Sequence, residues 1–470
     1  MYFRIISHAC MLVESDSLQI LTDPWIIGSS YWRSWWNYPP VRKEDYNKII
    51  PDYIILTHIH WDHFHSPSLK YFGKNTKIII PYDRYSRTLR DLNKIGFKNV
   101  IEIKNFETLS LSKNFKITSY QFAPTCTDSA ILFESKGVKM LNLNDCKIFG
   151  SPLNRILKMH NKIDFVFKSH SSANSRICYN PDKNIKFDNK ERYFNQFYEV
   201  IKKIKPKYAV PFASNTCYLH EETFKYNDFS NSPYDLEKYF NKKDNIETEL
   251  KVMIRGSAWS NSSGFNIEPY KAWFEKKDIM LEEYINSVQD KLKKQYSIDF
   301  NSKISFKLIE NYFGKFFKNL NFILRIPLRG NKIYFRYYNG YESNYCMIDV
   351  YKKICKEAKH KDYELAKLKF DIPNVVLKMC IKLNMFSHGF ISKRITFYSD
   401  PGDERKLKYF EYLLEMTETE LIPFKNNFSL RSLKNWSTRL SEIILYIRVL
   451  LIMKLKNKSK DEAFIYCLHN

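Results

Sequence analysis

Short apolar runs broken by turn residues dominate the first third of the chain. Residues 2–6, 11–14 and 18–22 read as three strands, with Ser15-Asp16-Ser17 supplying the turn between the second and third. The apolar run 53–56 predicts a further strand. Strands are also expected over 77–81, 100–104 and 115–122, and a hairpin over 130–134 and 138–143 turns at Ser135-Lys136-Gly137. Helical spacing appears at 85–95 and again at 191–204, where Tyr193, Phe194, Phe197, Val200, Ile201 and Ile204 form one stripe before Pro206. Strands at 164–168 and 208–212 flank that helix. Beyond the Ser/Asn/Gly cluster at 257–264 the texture changes. Strands are expected at 320–327 and 332–338, and helices at 373–383 and 405–417. The pattern divides the chain into residues 1–265 and an α+β region over 266–470.

The segment 441–460 is mostly apolar but is broken by Arg448 and Lys454 and followed by Lys456, Lys458 and Lys460. It is too short and too charged to span a bilayer. It reads as a docked terminal helix or as a peripheral contact with an anionic membrane face.

The chain has 470 residues, 44% of them hydrophobic and 16% aromatic, enough for a large core. Its net charge of +24 is spread through a Lys- and Asn-rich composition. It shows no Arg-rich recognition helix, so no nucleic-acid partner is expected. The nine cysteines are scattered and odd in number, with no C-x-x-C pair. That usage, and a start that runs straight into a strand pattern, leads to the expectation of a cytoplasmic chain with free thiols, whose peripheral contact with the inner membrane face, if made, runs through 441–460.

Candidate chemistry concentrates directly after the run 53–56. Thr57 to His63 reads T-H-I-H-W-D-H, which puts His58, His60, Asp62 and His63 within six residues at a strand end. Imidazole and carboxylate donors so close together suit zinc or iron. Trp25, Trp32, Trp35, Trp36 and Trp61 crowd the same region. With Gly28-Ser29-Ser30 and Pro39-Pro40 marking a loop, they are expected to rim a substrate pocket.

H-x-H-x-D-H after a strand resembles the metallo-β-lactamase fold, a four-layer αββα α/β sandwich. The resemblance implies that His58 and His60 hold one metal, Asp62 and His63 a second, and Asp145 bridges them. His8-Ala9 followed by Leu21-Thr22-Asp23-Pro24-Trp25 resembles a branch that includes N-acylphosphatidylethanolamine phospholipase D, ascorbate-6-phosphate lactonase and CMP-N-acetylneuraminate hydroxylase. It implies site roles for His8 and Asp23. The similarity is strongest to the hydroxylase family, through 205–213 with His220-Glu221, the aromatics near Tyr312-Phe313, and 375–391. The Rieske signature of that family is not among these residues. Two histidines usual in family hydrolases are also missing: Ala123 and Phe212 stand in their places. Asp128, Cys126, His170 and His220 are the candidates to replace them.

The resemblance thus implies a metal-dependent hydrolase that uses two zinc ions, or one if the altered ligand set disables a site. Water would attack a small anionic substrate such as a nucleotide sugar, phosphodiester or lactone, with Asp62, His8 and Asp23 in catalytic roles. The alternative is an iron-dependent monooxygenase acting on a CMP-sialic-acid-like nucleotide sugar, with electrons from a ferredoxin-type partner. A non-catalytic glycan or nucleotide-sugar binding protein is the third reading.

Overall fold

The computed structural model describes residues 1–123, 127–171, 173, 175–180, 190–243 and 247–470. Two large sheets face one another. The first runs in the order Gly264–Asn266, Ala258–Ser260, Tyr2–Ile5, Met11–Ser15, Leu18–Thr22, Tyr53–Ile55, Lys77–Pro81 and Val100–Ile103. The second runs Glu249–Leu250, Tyr208–Pro211, Phe165–Lys168, Val138–Asn144, Asp128–Ser135, Phe115–Phe122 and Thr108–Ser110. In each sheet an antiparallel meander turns into parallel strands, where Leu18–Thr22 meets Tyr53–Ile55 and where Val138–Asn144 meets Phe165–Lys168.

Alternation along the strands builds the layers, because successive side chains point to opposite faces. Phe3, Ile5, Met11, Val13 and Ile20 meet Phe115, Ile117, Phe133, Phe165 and Phe167 between the sheets. The outer face of the first sheet buries Ile54, Ile78 and Ile80 against Leu69 of helix Ser66–Tyr71 and Leu92 of helix Arg87–Lys94. The outer face of the second buries Leu141 and Leu143 against helices Gly150–Met159 and Lys190–Ile204. This is the expected αββα sandwich.

The α+β extension has its own sheet, Ile354–Glu357, Ser343–Asp349, Ile333–Tyr338, Leu368–Pro373 and Thr396–Ser399. Its core of Phe313, Phe335, Phe370 and Phe410 continues into Trp25, Tyr31 and Trp35 of the sandwich. The last two helices, Leu440–Leu455 and Lys460–His469, return to the sandwich. Leu445, Val449, Ala463 and Leu468 pack there with Leu143, Leu153 and Phe197.

One element expectation fails. Residues 320–327 are not a strand but a helical turn, Phe322–Arg325, leading into the 3-10 turn Ile326–Leu328. Asn321 caps it by accepting from the Leu324 amide at 3.0 Å, and Phe322, Ile323 and Ile326 stay exposed. A short apolar run does not by itself distinguish a strand from a helical turn.

Candidate metal centre

The site lies where the parallel strands end. Thr22 and Ile55 are paired at the ends of their strands, so Asp23 and Thr57 emerge side by side. The Asp23 amide donates to the Ile55 carbonyl at 2.8 Å. Opposite them, Asn144 closes its strand with a left-handed φ of 51° and turns Asp145 toward the same point.

Asp23 is fully buried and serves as the hub. Its Oδ1 accepts from the Thr57 amide at 2.8 Å, and its Oδ2 from the Thr57 hydroxyl at 2.7 Å and from the Asn144 amide. His63 Nδ1 lies 3.0 Å from the same Oδ2. A proton on Nδ1 donating to a carboxylate leaves the His63 Nε2 lone pair facing the site. Thr57 does the same for His58, whose Nδ1 lies 3.1 Å from the Thr57 hydroxyl oxygen. Asp62 is held by the Tyr31 hydroxyl, which donates to Oδ1 at 2.6 Å, and by His8 Nε2 at 3.1 Å from Oδ2.

Two donor groups result, each with its ligand atoms within 4.8 Å of one another: His58, His63 and Asp145, and His8, Asp62 and His63. His63 Nε2 lies 3.4 Å from Asp62 Oδ2 and 3.4 Å from Asp145 Oδ2. Four donors at about 2.1 Å around a tetrahedral cation lie roughly 3.4 Å apart, so these spacings suit such an ion. The Nε2 atoms of His58 and His63 and Nδ1 of His8 are buried without a hydrogen-bond partner among the described residues. Leaving such atoms unpaired is costly, and a cation satisfies the Nε2 atoms of His58 and His63 beside Asp145. The donors therefore fit a metal ion of the zinc or iron type.

At His58 the electrostatics agree with that fit, and at His63 the surrounding carboxylates favour a positive charge at the same point. Burial, with the neighbouring His63 and His60, holds His58 well below the ordinary imidazole range and hence neutral, the form that binds metal. At His63 burial works against the charge, but Asp62, Asp23 and Asp145 outweigh it and raise its pKa. Asp62 and Asp145 are both lowered: burial opposes this, and His63 more than compensates.

The remaining sequence candidates are placed as follows. His60 stacks edge-on against His58, with centroids 4.6 Å apart, outside both donor groups. Asp128 lies across from Asp145, and burial with that neighbour pushes its pKa up to about 8. His170 is fully buried next to His8, its ring nitrogens unpaired among the described residues; burial first, then His8, brings its pKa down to about 3. The structure does not bring His220 to the cluster, because its Nε2 is 2.9 Å from Asp299. Cys126 lies outside the described residues. Phe212 fills the core between the sheets, and the Ala123 carbonyl accepts from Arg439 Nη2 at 2.6 Å.

The tryptophan expectation needs correction. A cavity of about 510 Å³ opens at the donor groups and is lined by His8, Asp62 and Asp145, with Lys190, Tyr193 and Asn231 further out. Of the five tryptophans only Trp35 borders it. Trp25 and Trp36 are fully buried core, and Trp32 and Trp61 pack on each other with centroids 5.0 Å apart. Their apolar area is worth more in the seam between sandwich and extension than at a wet rim.

The sequence reading missed His388. It is fully buried on helix Phe386–Ile391, 5.5 Å from the His60 ring and 4.9 Å from the Trp61 ring. Its Nε2 lies 3.3 Å from the Ile59 carbonyl, inside the T-H-I-H-W-D-H loop, and its Nδ1 faces Glu418 at 3.4 Å. The only signal was that His388 falls within the stretch 375–391 that carries the resemblance.

The αββα layering is that of the metallo-β-lactamase fold, and residues 3–213 match the model of the beta-lactamase superfamily domain. Among curated proteins, the cytidine monophosphate-N-acetylneuraminic acid hydroxylase of Danio rerio is 23% identical over 350 residues, 68% of this chain and 57% of that protein. The Asterias rubens hydroxylase is 25% identical over 353 residues, covering 69% and 52%. A putative Rieske 2Fe-2S iron-sulfur protein of Mycolicibacterium smegmatis is 24% identical over 250 residues, covering 49% and 47%. The chain spans about half the length of these relatives. Among solved structures, the isothiocyanate hydrolase from Delia radicum gut bacteria aligns with a TM-score of 0.40 and 15% identity, over 55% of this chain and 99% of that one.

Proposed function

We propose that this chain is a metal-dependent hydrolase acting on a small anionic substrate. The observation that carries the reading is the pair of buried, unpaired Nε2 atoms of His58 and His63 grouped with the carboxylate of Asp145, which lines the cavity. His58, His63 and Asp145 would hold a divalent cation there, which would supply a nucleophilic water at neutral pH and polarise the bond to be broken. Asp62, held by Tyr31 and His8, would orient that water or accept its proton. Lys190 on the cavity wall is suited to an anionic group of the substrate, and Trp35 to a sugar or base face.

The second reading is an iron-dependent oxygenase of a CMP-sialic-acid-like nucleotide sugar. It is favoured by the named hydroxylases, whose similarity extends over more than two thirds of this chain and so past the sandwich. A two-histidine, one-carboxylate set with open positions also suits non-haem iron. This reading requires an external electron donor of the ferredoxin type, and one relative is named as a Rieske protein.

Metal analysis of protein purified without oxygen separates the two. Zinc, with turnover of phosphodiester or lactone surrogates, supports the hydrolase. Iron, with oxygen consumption dependent on a reduced ferredoxin, supports the oxygenase. Protein that takes up neither metal overturns both.

A further inference from the structure

Helix Leu440–Leu455 is apolar on nearly every face, yet among the described residues only one face is covered. Leu445, Val449 and Ile452 are buried against the sandwich. On the other side Leu440, Ile444, Ile447, Leu451 and Leu455 follow one another at steps of four, three, four and four residues. Their exposures run from 50% to 77%, so the stripe lies open along the full helix. Just before it, Phe428 and Leu430 are 74% and 88% exposed. A helix apolar all round is normally buried all round. An exposed apolar surface of this extent marks an interaction site.

The surrounding charge identifies the occupant. Between residues 424 and 460 there are nine Lys or Arg and a single acid, Glu442. Glu442 is buried and committed to Arg439, whose Nε donates to it at 2.7 Å. Arg448, Lys454 and Lys456 are exposed on the helix and at its end. An apolar stripe bordered by Arg448, Lys454 and Lys456 complements an anionic lipid surface. Two copies of the chain meeting here would set this positive fringe against itself.

We infer that the face formed by Phe428, Leu430 and the exposed stripe of helix Leu440–Leu455 docks the protein onto an anionic membrane surface. The helix lies on the leaflet and does not cross it. At 16 residues it is about 24 Å long, short of the hydrocarbon core, and no described helix is long and apolar enough to cross a membrane. The docking face is fixed to the catalytic sandwich. Leu445 and Cys467 close directly over Gly150, at the start of the helix that follows the Asp145 strand.

Co-flotation of the full chain with vesicles tests this. Flotation is expected with phosphatidylcholine containing about one-third phosphatidylglycerol and not with phosphatidylcholine alone, and it should weaken at high salt. Ile447→Asp with Leu451→Asp should abolish flotation while leaving the melting transition in place, since both side chains are exposed. A second variant keeps the apolar face and replaces Lys454, Lys456 and Lys458 by Gln. It should lower binding roughly fivefold per lysine. Equal flotation of parent and variants, or no flotation of the parent, overturns the inference. So does a stable dimer by light scattering that the Ile447→Asp, Leu451→Asp variant dissolves without any vesicle binding.

Discussion

Asp23 has no atom in either donor group, yet four partners converge on its carboxylate: the Thr57 amide and hydroxyl, Asn144 and His63. Its removal frees the His63 ring to rotate and to change tautomer. Asp23→Ala is therefore expected to weaken metal binding by about 10- to 100-fold, read by competition with a chromophoric chelator. Loss of a donor should cost more, so Asp145→Ala should lower metal content further than His170→Ala, whose ring belongs to neither group. Equal metal content in both variants would sink the ligand assignment. His388 belongs to the same argument, because it fastens the Ile59 carbonyl between His58 and His60. His388→Ala should lower metal affinity, and His388→Asn, which keeps a donor, should recover part of it. The contrast between Asp23 and His388 shows what a sequence discloses at this scale. Asp23 sits in a compact pattern, L-T-D-P-W, at a strand end. His388 acts from 325 positions beyond His63 through a single carbonyl, and no local spacing encodes such a contact.

At the scale of elements, short apolar runs bounded by turn residues were legible nearly to the residue, as at Leu18–Thr22, Lys77–Pro81 and Phe115–Phe122. Each has one face in the inter-sheet core and buries much of the other face as well, so burial imprints a compact run rather than a clean alternation. The 25-residue helix Lys277–Asn301 left almost no such imprint. Only Leu281, Val288, Leu292 and Gln295 are buried in it, too sparse a stripe to read as a helix. The contact between helices Gly150–Met159 and Leu440–Leu455 is also invisible in sequence, because it depends on a glycine. Gly150 has φ +61°, and a Cβ there would lie 2.6 Å from Leu445 Cδ1 and 3.3 Å from the Cys467 carbonyl. Gly150→Ala combines a strained backbone with overpacking and should destabilise the fold by about 1–3 kcal/mol. Leu445→Ala opens a cavity in the same place and should cost about 2–5 kcal/mol. Both should lower the midpoint of chemical denaturation. If Gly150→Ala leaves it unchanged, the helices do not meet as closely as described.

Across the whole molecule the sandwich and the extension are joined by a buried charge cluster. Arg394 is fully buried, with Nη2 2.9 Å from Asp299 and 2.8 Å from Glu222. Asp299 also takes His220 at 2.9 Å and accepts from Gln295 at 2.7 Å, and Tyr338 donates to Glu222 at 3.1 Å. The cluster thus ties the sandwich segment around His220 to helix Lys277–Asn301 and to the extension, and explains why His220 is not at the metal site. At Asp299 burial acts against ionisation, but His220 and Arg394 outweigh it, so its pKa lies below the ordinary 3.8. A carboxylate with a depressed folded-state pKa stabilises the fold above its unfolded pKa, and that contribution fades as pH falls through the folded value. Asp299→Asn leaves Arg394 short of one counter-charge, which costs 3–5 kcal/mol in a fully buried pair. Because 14% of the Asp299 side chain reaches solvent, the expected cost is about 2–3 kcal/mol. In thermal melts the gap between parent and Asp299→Asn should hold steady from about pH 7 to about pH 5. It should then narrow as the pH drops below about 4, where the parent carboxylate begins to take up its proton. A gap that widens toward acid would mean that Asp299 is protonated in the folded chain, and that Arg394 rests on Glu222 alone.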